Sequence, residues 1–151
     1  NPKLIYKLLP GDGQVYVFGG NSDGQLGTGD AGEKVFSLQP KLLLPLHNKK
    51  IIDIACGGRH TLCVTGSLVF QPIDLSGSRL TSACHVRIAE GQVYAWGKGK
   101  EGRLGCATQD SSSIPHPVVS LNAIKIVSVE AGWSHSMCLS GTCFLFPSCF
   151  I

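Results

Sequence analysis

The sequence has no apolar run that approaches the ~18 residues of a membrane-spanning helix, and its first residues do not form a secretory signal. Charge is also scarce, since charged residues make up 15% of the chain and the formal net charge is +3. So mild an excess does not require a nucleic-acid partner, and we expect no association with membranes. A hydrophobic content of 43% argues against intrinsic disorder, so we expect a globular, turn-rich, β-biased protein.

Paired cysteine motifs are missing as well. The seven cysteines are odd in number and include no Cys-x-x-Cys pair: Cys56, Cys63, Cys84, Cys106, Cys138, Cys143 and Cys149. Three of them stand in apolar strand segments where a small hydrophobic residue would serve equally well. The pattern favours reduced thiols in a cytoplasmic or nuclear protein over a disulfide framework.

Two glycine-rich segments repeat one another. Residues 12–27 are DGQVYVFGGNSDGQLG, and residues 90–105 are EGQVYAWGKGKEGRLG. The similarity resumes downstream, where residues 50–65 match residues 125–140 and each of these segments contains Gly-x-x-His. A unit repeated in this way indicates a propeller, a solenoid or an array.

Each unit predicts a strand, a glycine turn, a proline-bearing edge strand and two apolar strands. We place the proline-bearing strands at residues 39–46 and 115–121, because proline cannot donate to a sheet ladder. Leu26, which follows the first glycine turn, is expected to pack that turn back onto the core.

Two stretches have no counterpart in the other unit, so we place the repeats at residues 12–65 and 90–140. The stretches, 66–89 and 141–151, each begin with Gly directly after a matching strand, where the unit calls for an acidic residue and glycine. One hypothesis is that both are translated intron, which would make the chain a non-functional truncated splice product. The alternative is that residues 66–89 form a genuine inserted loop at a hairpin tip. A first residue of Asn rather than Met agrees with a fragment.

The units resemble repeats of the regulator of chromosome condensation family, whose marks are an aromatic-Gly strand end, Gly-Gln-Leu-Gly and Gly-x-x-His. In the first unit these are Phe18-Gly19, Gly24–Gly27 and Gly57–His60; in the second they are Trp96-Gly97, Gly102–Gly105 and Gly132–His135. The positions that the resemblance assigns to repeat structure are Gly19, Gly24, Gly27, His60, Gly97, Gly102, Gly105 and His135.

The resemblance implies an all-β fold built from four-stranded antiparallel propeller blades, with about two repeats forming an incomplete ring. Strands 51–56, 60–65, 92–96 and 115–121 would form one nearly whole blade. The open strand edges of such a ring predict that the isolated chain associates or folds poorly.

One glycine pattern, Gly97-x-Gly99-x-x-Gly102, matches a dinucleotide-binding fingerprint on paper. That site also needs a following helix, whereas residues 103–117 have the character of a loop. In the first unit Asn21 replaces Gly99, an exchange that a left-handed backbone position tolerates because both residues reach positive φ. We therefore predict turn geometry at Gly99 and no small-molecule substrate.

Metal binding and covalent catalysis are two other specific functions that the residues could suggest. His60 and His135 lie near cysteines, but the Cys and His pairs lack zinc spacing, so we expect no metal and no cofactor. Cys63 lies three residues from His60 on one strand, which puts the two side chains on opposite faces. We therefore expect no catalytic residues and no enzyme with covalent chemistry of its own.

Trp133 raises a further alternative, because ultraviolet-B receptors similar to this family carry Gly-Trp-Arg-His-Thr motifs. Neither unit has the full motif: Gly58 is followed by Arg59-His60-Thr61 without tryptophan, and Trp133 is followed by Ser134. Light reception therefore stays a minor alternative. We expect Trp133 to pack at the surface or between blades, and Trp96 to anchor a blade core.

Loops at the turn tips are expected to carry function, as a protein-interaction module. The resemblance implies a protein partner, with guanine nucleotide exchange on a small GTPase or association with chromatin as its two forms. The candidate binding residues are Glu90, Lys98, Lys100, Glu101, Arg103 and Trp133.

Overall fold

A computed structural model describes residues 7–8, 13–32, 36–72 and 84–141. The described part of the chain is built of β-strands joined by turns and short 3-10 segments. The strands are β1 (Lys7–Leu8), β2 (Val15–Gly20), β3 (Phe36–Leu42), β4 (Ile51–Cys56), β5 (His60–Pro72), β6 (Cys84–Gly97), β7 (Ser112–Pro117), β8 (Ile126–Ala131) and β9 (Ser136–Ser140). The 3-10 segments are Leu44–Leu46, Lys100–Gly102 and Val119–Leu121.

The strands form three antiparallel sheets in the order of the chain. The middle sheet is the four-stranded β4-β5-β6-β7. It is flanked by the three-stranded β1-β2-β3 and the two-stranded β8-β9. The all-β class and the incomplete propeller are therefore confirmed: one complete blade stands between two partial ones, and the described residues do not close a ring.

The proline-bearing strands lie earlier than predicted. They are Phe36–Leu42 and Ser112–Pro117, and 3-10 turns follow them. The difference arises at Leu43, whose N–H donates 2.8 Å to the carbonyl of Val15 and which is followed directly by the 3-10 turn Leu44–Leu46. Pro45, whose fixed φ suits the first turn of a helix, is the second residue of the first 3-10 turn.

The segment between the two repeats extends the central hairpin. Strands β5 and β6 stay paired beyond Thr65, from Gly66 opposite Glu90 to Pro72 opposite Cys84, after a register shift at residues 65–66. Residues 73–83, which complete this segment, lie outside the described residues, as does all of the predicted tail after Gly141. Backbone pairing of this kind is compatible with either origin of the segment.

Two apolar clusters fill the spaces between the sheets. The first consists of Val15, Val17, Leu26, Leu43, Leu46, Ile51, Cys63, Tyr94 and Trp96. The second consists of Ala55, Leu62, Val64, Val93, Ala95, Leu104, Val118, Ile126 and Val129. Corresponding residues of the two repeats, such as Leu26 and Leu104, enter successive clusters. Both faces of the middle sheet are therefore buried, as strands of a stacked blade require.

Glycine turns hold these layers in register. The six glycines assigned to turn positions all have positive φ, which residues with a side chain rarely adopt: Gly19, Gly24, Gly27, Gly97, Gly102 and Gly105. The positive φ expected at Gly99 and Asn21 is wrong, because neither residue has it and Gly99, which lies in the turn directly before the 3-10 segment, has φ −92°.

Space and hydrogen bonding explain the Gly99–Asn21 exchange instead. A Cβ on Gly99 would stand 1.9 Å from the carbonyl oxygen of Asp110, so the second unit has no room for a side chain there. In the first unit the buried Asn21 amide fills the turn, donating 2.6 Å to the carbonyl of Asp30 and accepting 2.9 Å from the N–H of Leu26.

Candidate functional site

The two Gly-x-x-His turns lie at the same end of their sheets and touch. The N–H of Gly58 donates 3.2 Å to the carbonyl of Gly132. A Cβ on Gly57 would lie 2.5 Å from that same carbonyl and 2.3 Å from Cε1 of His60. The approach of neighbouring turns therefore requires glycine at position 57, and it brings residues 75 apart in sequence together.

His60 lies beneath these turns and links three segments. Its Nε2 is 2.9 Å from Ser136 Oγ, which in turn donates 2.6 Å to the carbonyl of Arg103. Because the serine proton goes to Arg103, the hydroxyl accepts from His60, and this places the imidazole proton on Nε2. Nδ1 is buried with no hydrogen-bond partner among the described residues.

The surroundings of His60 oppose protonation. Burial lowers the pKa of His60 to about 4, and the positive charge of Arg103 adds to the effect. The imidazole is therefore neutral at physiological pH. It acts as a structural connector between the middle sheet and the β8-β9 sheet.

Arg103 braces the adjoining surface. Its side chain is buried at 5% exposure. Nε donates 2.8 Å to the carbonyl of Lys100, Nη1 donates 3.2 Å to the carbonyl of Trp133, and Nη2 pairs with the Glu101 carboxylate. The sequence predicted Arg103 as a surface residue that binds a partner. In the structure its guanidinium instead donates to groups of the chain itself and holds two loops together.

Trp133 lies next to Arg103, at the surface. Its side chain is 69% exposed, yet its carbonyl is bound by Arg103 and its ring lies where a Cβ on Gly58 would approach within 2.9 Å. Trp96, by contrast, is 0% exposed, and its Nε1 donates 2.9 Å to the carbonyl of Gln25. One tryptophan anchors the core, and the other is presented to solvent on a supported backbone.

The structure brings five of the six predicted binding residues to one end of the blade. Lys98 donates its N–H 2.9 Å to the carbonyl of Arg59, beside the turns, and it is followed there by Lys100, Glu101, Arg103 and Trp133. Glu90 is not among them. It lies on the same strand seven residues before Gly97, roughly 23 Å away at ~3.3 Å per residue.

Sequence reasoning missed three residues of this surface. Arg59 and Asp23 form an ion pair at 3.3 Å that joins the first glycine turn to the Gly-x-x-His turn. Ser136 provides the hydroxyl between His60 and Arg103. A signal for Ser136 was present, because a hydroxyl residue follows both histidines, as Thr61 and Ser136.

We name this end of the molecule the turn face and define it by Asp23, Arg59, Lys98, Lys100, Glu101, Arg103 and Trp133. The described part of the chain holds no group of three His, Cys, Asp or Glu side chains arranged for a metal ion. Burial raises the pKa of the Cys63 thiol, which is 0% exposed, so that thiol stays protonated and unreactive. The chemistry that the turn face offers is recognition by an aromatic ring among mixed charges.

Comparison with known proteins agrees with this architecture. The family model for the regulator of chromosome condensation repeat matches residues 12–64 and 90–139, more than half of the chain. Human HERC6, a probable E3 ubiquitin-protein ligase, is 33% identical over 87% of this chain, which spans 11% of HERC6. The ultraviolet-B receptor UVR8 of Arabidopsis thaliana is 29% identical over 85% of this chain, which spans 35% of the receptor.

Among solved structures, human WBSCR16 superposes with a TM-score of 0.57 at 21% identity, covering 87% of this chain and 28% of that protein. This likeness shows the fold alone. None of the helical segments in the described residues has the length and apolar character needed to cross a bilayer. The repeat match, together with the blade of four antiparallel strands, shows that the chain belongs to the regulator of chromosome condensation repeat family.

Proposed function

We propose that the chain is a protein-interaction module that binds its partner through the turn face. The observation that carries this proposal is Trp133, a large aromatic side chain 69% exposed on a backbone fixed by Arg103. Exposed aromatic residues on a supported backbone bury much apolar area while losing little conformational freedom, so tryptophan is enriched among binding hot spots.

The charges around Trp133 support a protein partner. Lys100 and Glu101 are exposed, Lys98 is half-buried, and Arg59, which pairs with the less exposed Asp23, has half of its side chain exposed. Both signs are therefore interspersed around an apolar centre. Protein interfaces commonly have this arrangement of an apolar core and a polar rim.

Within this class we propose two forms of activity, binding to a small GTPase with guanine nucleotide exchange, and binding to chromatin. Exchange requires only that the module bind the nucleotide-free GTPase more tightly than the loaded one, so it needs no catalytic acid or base. The turn face is compatible with that requirement, since its charged and aromatic side chains offer contacts to a partner protein. Ubiquitin ligase activity is not proposed, because this chain spans 11% of the HERC6 relative.

The test compares Trp133→Ala with Phe36→Ala, a matched variant because Phe36 is an aromatic residue 61% exposed on the edge strand β3. The probes are purified nucleotide-free small GTPases and reconstituted nucleosomes, with affinities measured by biolayer interferometry. We expect Trp133→Ala to weaken binding by roughly tenfold or more and Phe36→Ala to leave it unchanged. Equal binding by both variants, or no binding of the unmodified chain to any probe, would refute the proposal.

A second measurement separates the two forms of activity. The release of a fluorescent GDP analogue from each loaded GTPase is followed with the chain present in substoichiometric amount. Accelerated release that Trp133→Ala abolishes identifies an exchange factor, whereas GTPase binding without acceleration identifies a scaffold.

Light reception is not favoured by the described residues. Trp96 is fully buried in the first apolar cluster, and Trp133 stands alone at the surface. The chain has two tryptophans in all, and they occupy different environments.

A further inference from the structure

A groove of about 340 Å³ separates the middle sheet from the β8-β9 sheet. Its apolar wall is formed by Leu104, Val118 and Leu121, and Cys138 faces it from β9. Most of these side chains belong to the second apolar cluster or pack against it. The groove is therefore an unfilled part of a junction between blades.

The equivalent junction between the first and middle sheets is filled. There Tyr94 and Trp96 of β6 complete the first cluster. Trp96 packs so closely that a Cβ on Gly27 would lie 2.8 Å from its Nε1. Its Nε1 donates to the carbonyl of Gln25, which also accepts 3.0 Å from Thr61 Oγ1.

The residues that line the open groove occupy the same repeat positions as the residues that surround Trp96 in the filled junction. In the repeat alignment, Leu104, Val118, Leu121 and Cys138 correspond to Leu26, Leu43, Leu46 and Cys63 of the filled junction. Arg103 corresponds to Gln25, and its carbonyl accepts from Ser136 just as that of Gln25 accepts from Thr61. The Gln25 carbonyl also accepts a bond from the indole of Trp96, but no indole donates to the Arg103 carbonyl among the described residues. Because a carbonyl oxygen has two lone pairs, the Arg103 carbonyl can accept such a second bond.

Strand β9 has an open edge beside the groove. It pairs with β8, but in the described residues no strand lies on its other edge, whereas the equivalent β5 pairs with both β4 and β6. On the face of β9 opposite Cys138, Met137 and Leu139 are 58% and 64% exposed, although the residues they replace, Leu62 and Val64, are buried. An open strand edge of this kind templates a further strand.

We propose that a second copy of this chain fills the groove with its strand β2. That strand carries Tyr16 and Phe18 where β6 carries Tyr94 and Trp96. The two tyrosines already share a conformation, since each hydroxyl bonds the glutamine two residues before it, at 3.5 and 3.4 Å. The side chain needed to complete the groove is thus already present in the repeat.

Strand β2 also has an edge at which a longer strand could pair. In the described residues that edge is paired with β1 over two residue pairs, Lys7 with Tyr16 and Leu8 with Val15. Strand β9 of another copy would replace β1 there with a five-residue strand. The register follows from the middle sheet, where Cys63 faces Tyr94 and Thr61 faces Trp96: Cys138 would face Tyr16 of the second copy, and Ser136 would face Phe18.

Such a contact is heterologous, so it repeats from copy to copy and forms a closed ring when the rotation between copies allows it. The described residues supply the outer half of one blade, a whole blade and the inner half of another, which together amount to two blades. Two, three or four copies would then give four, six or eight blades, all within the ~4–8 range of propellers. The assembly uses the groove and β9 and does not depend on the turn face being a binding site.

The first experiment measures mass by light scattering after size exclusion over a range of concentrations. We expect a species of two to four chains of 16.0 kDa. Leu139→Lys should shift it to the monomer, whereas Leu38→Lys, at an 86% exposed position on β3, should not. A monomer at every concentration, or equal association of the two variants, would overturn the proposal.

A second pair of variants tests the register. Tyr16→Cys should form an intermolecular disulfide with Cys138 on mild oxidation, and Cys138→Ser should abolish it. Phe18→Trp supplies the missing indole N–H to the Arg103 carbonyl, so the dissociation constant should fall roughly fivefold. Crosslinks that map to cysteines other than Cys138, or weaker association of Phe18→Trp, would count against this pairing.

Discussion

Protonation of His60 should destabilise the fold in mildly acid solution. In the unfolded chain an imidazole titrates near 6.5, whereas burial and Arg103 lower the pKa of folded His60 to about 4. Stability is therefore complete above about pH 6.5 and falls as the pH decreases toward 4, because the unfolded state takes up the proton first. Below about pH 4 both states are protonated and the loss levels off.

The magnitude follows from the two pKa values. At pH 5 the unfolded imidazole is almost fully protonated and the folded one is about nine-tenths neutral, which costs the fold about 2 kcal/mol relative to neutral pH. Half-protonation of the folded state near pH 4 raises the cost to about 3 kcal/mol. Against the ~5–15 kcal/mol stability of ordinary domains, a loss of this size is readily measured.

The assay is urea unfolding at pH 7.5 and pH 5, followed by tryptophan fluorescence at one fixed protein concentration. His60→Gln keeps an amide that donates to Ser136 Oγ but does not titrate, so this variant should lose about 2 kcal/mol less than the unmodified chain between the two pH values. His135→Gln is the matched control, because His135 occupies the same repeat position but is exposed, and it should behave as the unmodified chain does.

The comparison refutes the reasoning if His60→Gln and the unmodified chain lose equal free energy between pH 7.5 and 5. Titration of the carboxylates and other histidines contributes to both chains and cancels in the difference. A loss that disappears in His135→Gln instead would place the sensitive imidazole in the second turn.

Two further predictions concern the glycine turns and the central hairpin. Gly99→Ala should lower the melting temperature far more than Gly102→Ala, because a Cβ meets the Asp110 carbonyl at 1.9 Å in the first case and open space in the second, where only the positive φ costs about 1 kcal/mol. Deleting residues 66–89 joins Thr65 to Glu90 and leaves a two-residue turn ending in Gly91, φ +75°, so the deletion variant should melt no lower than the full chain; a drop of more than a few degrees would show that the long hairpin stabilises the blade.

The blade could be predicted from the sequence because both repeats carry the same pattern of strand and turn residues. Val15 and Val93 mark the same buried position, and each unit places a glycine turn after its aromatic strand end. Period-two strands and positive-φ glycines are local properties, so they can be recognised from residues close in sequence. The order of the strands followed from the repeat, and β4-β5-β6-β7 confirms it.

The remainder depended on contacts between segments far apart in the chain. No residue close to Gly99 in the sequence indicates that the Asp110 carbonyl excludes a side chain there, so the local explanation by positive φ was wrong. The carbonyl of Trp133 is bound by a residue 30 positions earlier, and His60 reaches Ser136 across 76 positions. The candidate binding residues were chosen from the predicted turn tips, without knowledge of the end of the blade at which each tip lies, and this joined Glu90 to a turn face that it does not reach.

Gln25 and Arg103 show how the repeat separates structure from recognition. Both are 5% exposed, and both use the backbone carbonyl to accept a hydrogen bond from a hydroxyl in the next sheet along the chain. The fold therefore relies on an atom that every residue possesses, and the side chain is left to vary. The side chain of Gln25 accepts a 2.8 Å hydrogen bond at Oε1 from the N–H of Asp23, within the same turn.

Arg103 uses its side chain to bind the carbonyl of Trp133 in the next turn. Trp133 in turn occupies the repeat position that is Gly58 in the preceding unit, and that glycine provides the space against which the indole lies. The exposed tryptophan thus depends on differences between the repeats at two positions, arginine for glutamine and tryptophan for glycine. Arg103→Gln should consequently leave the carbonyl bond to Ser136 in place while releasing Trp133, so that binding through the turn face weakens more than stability falls.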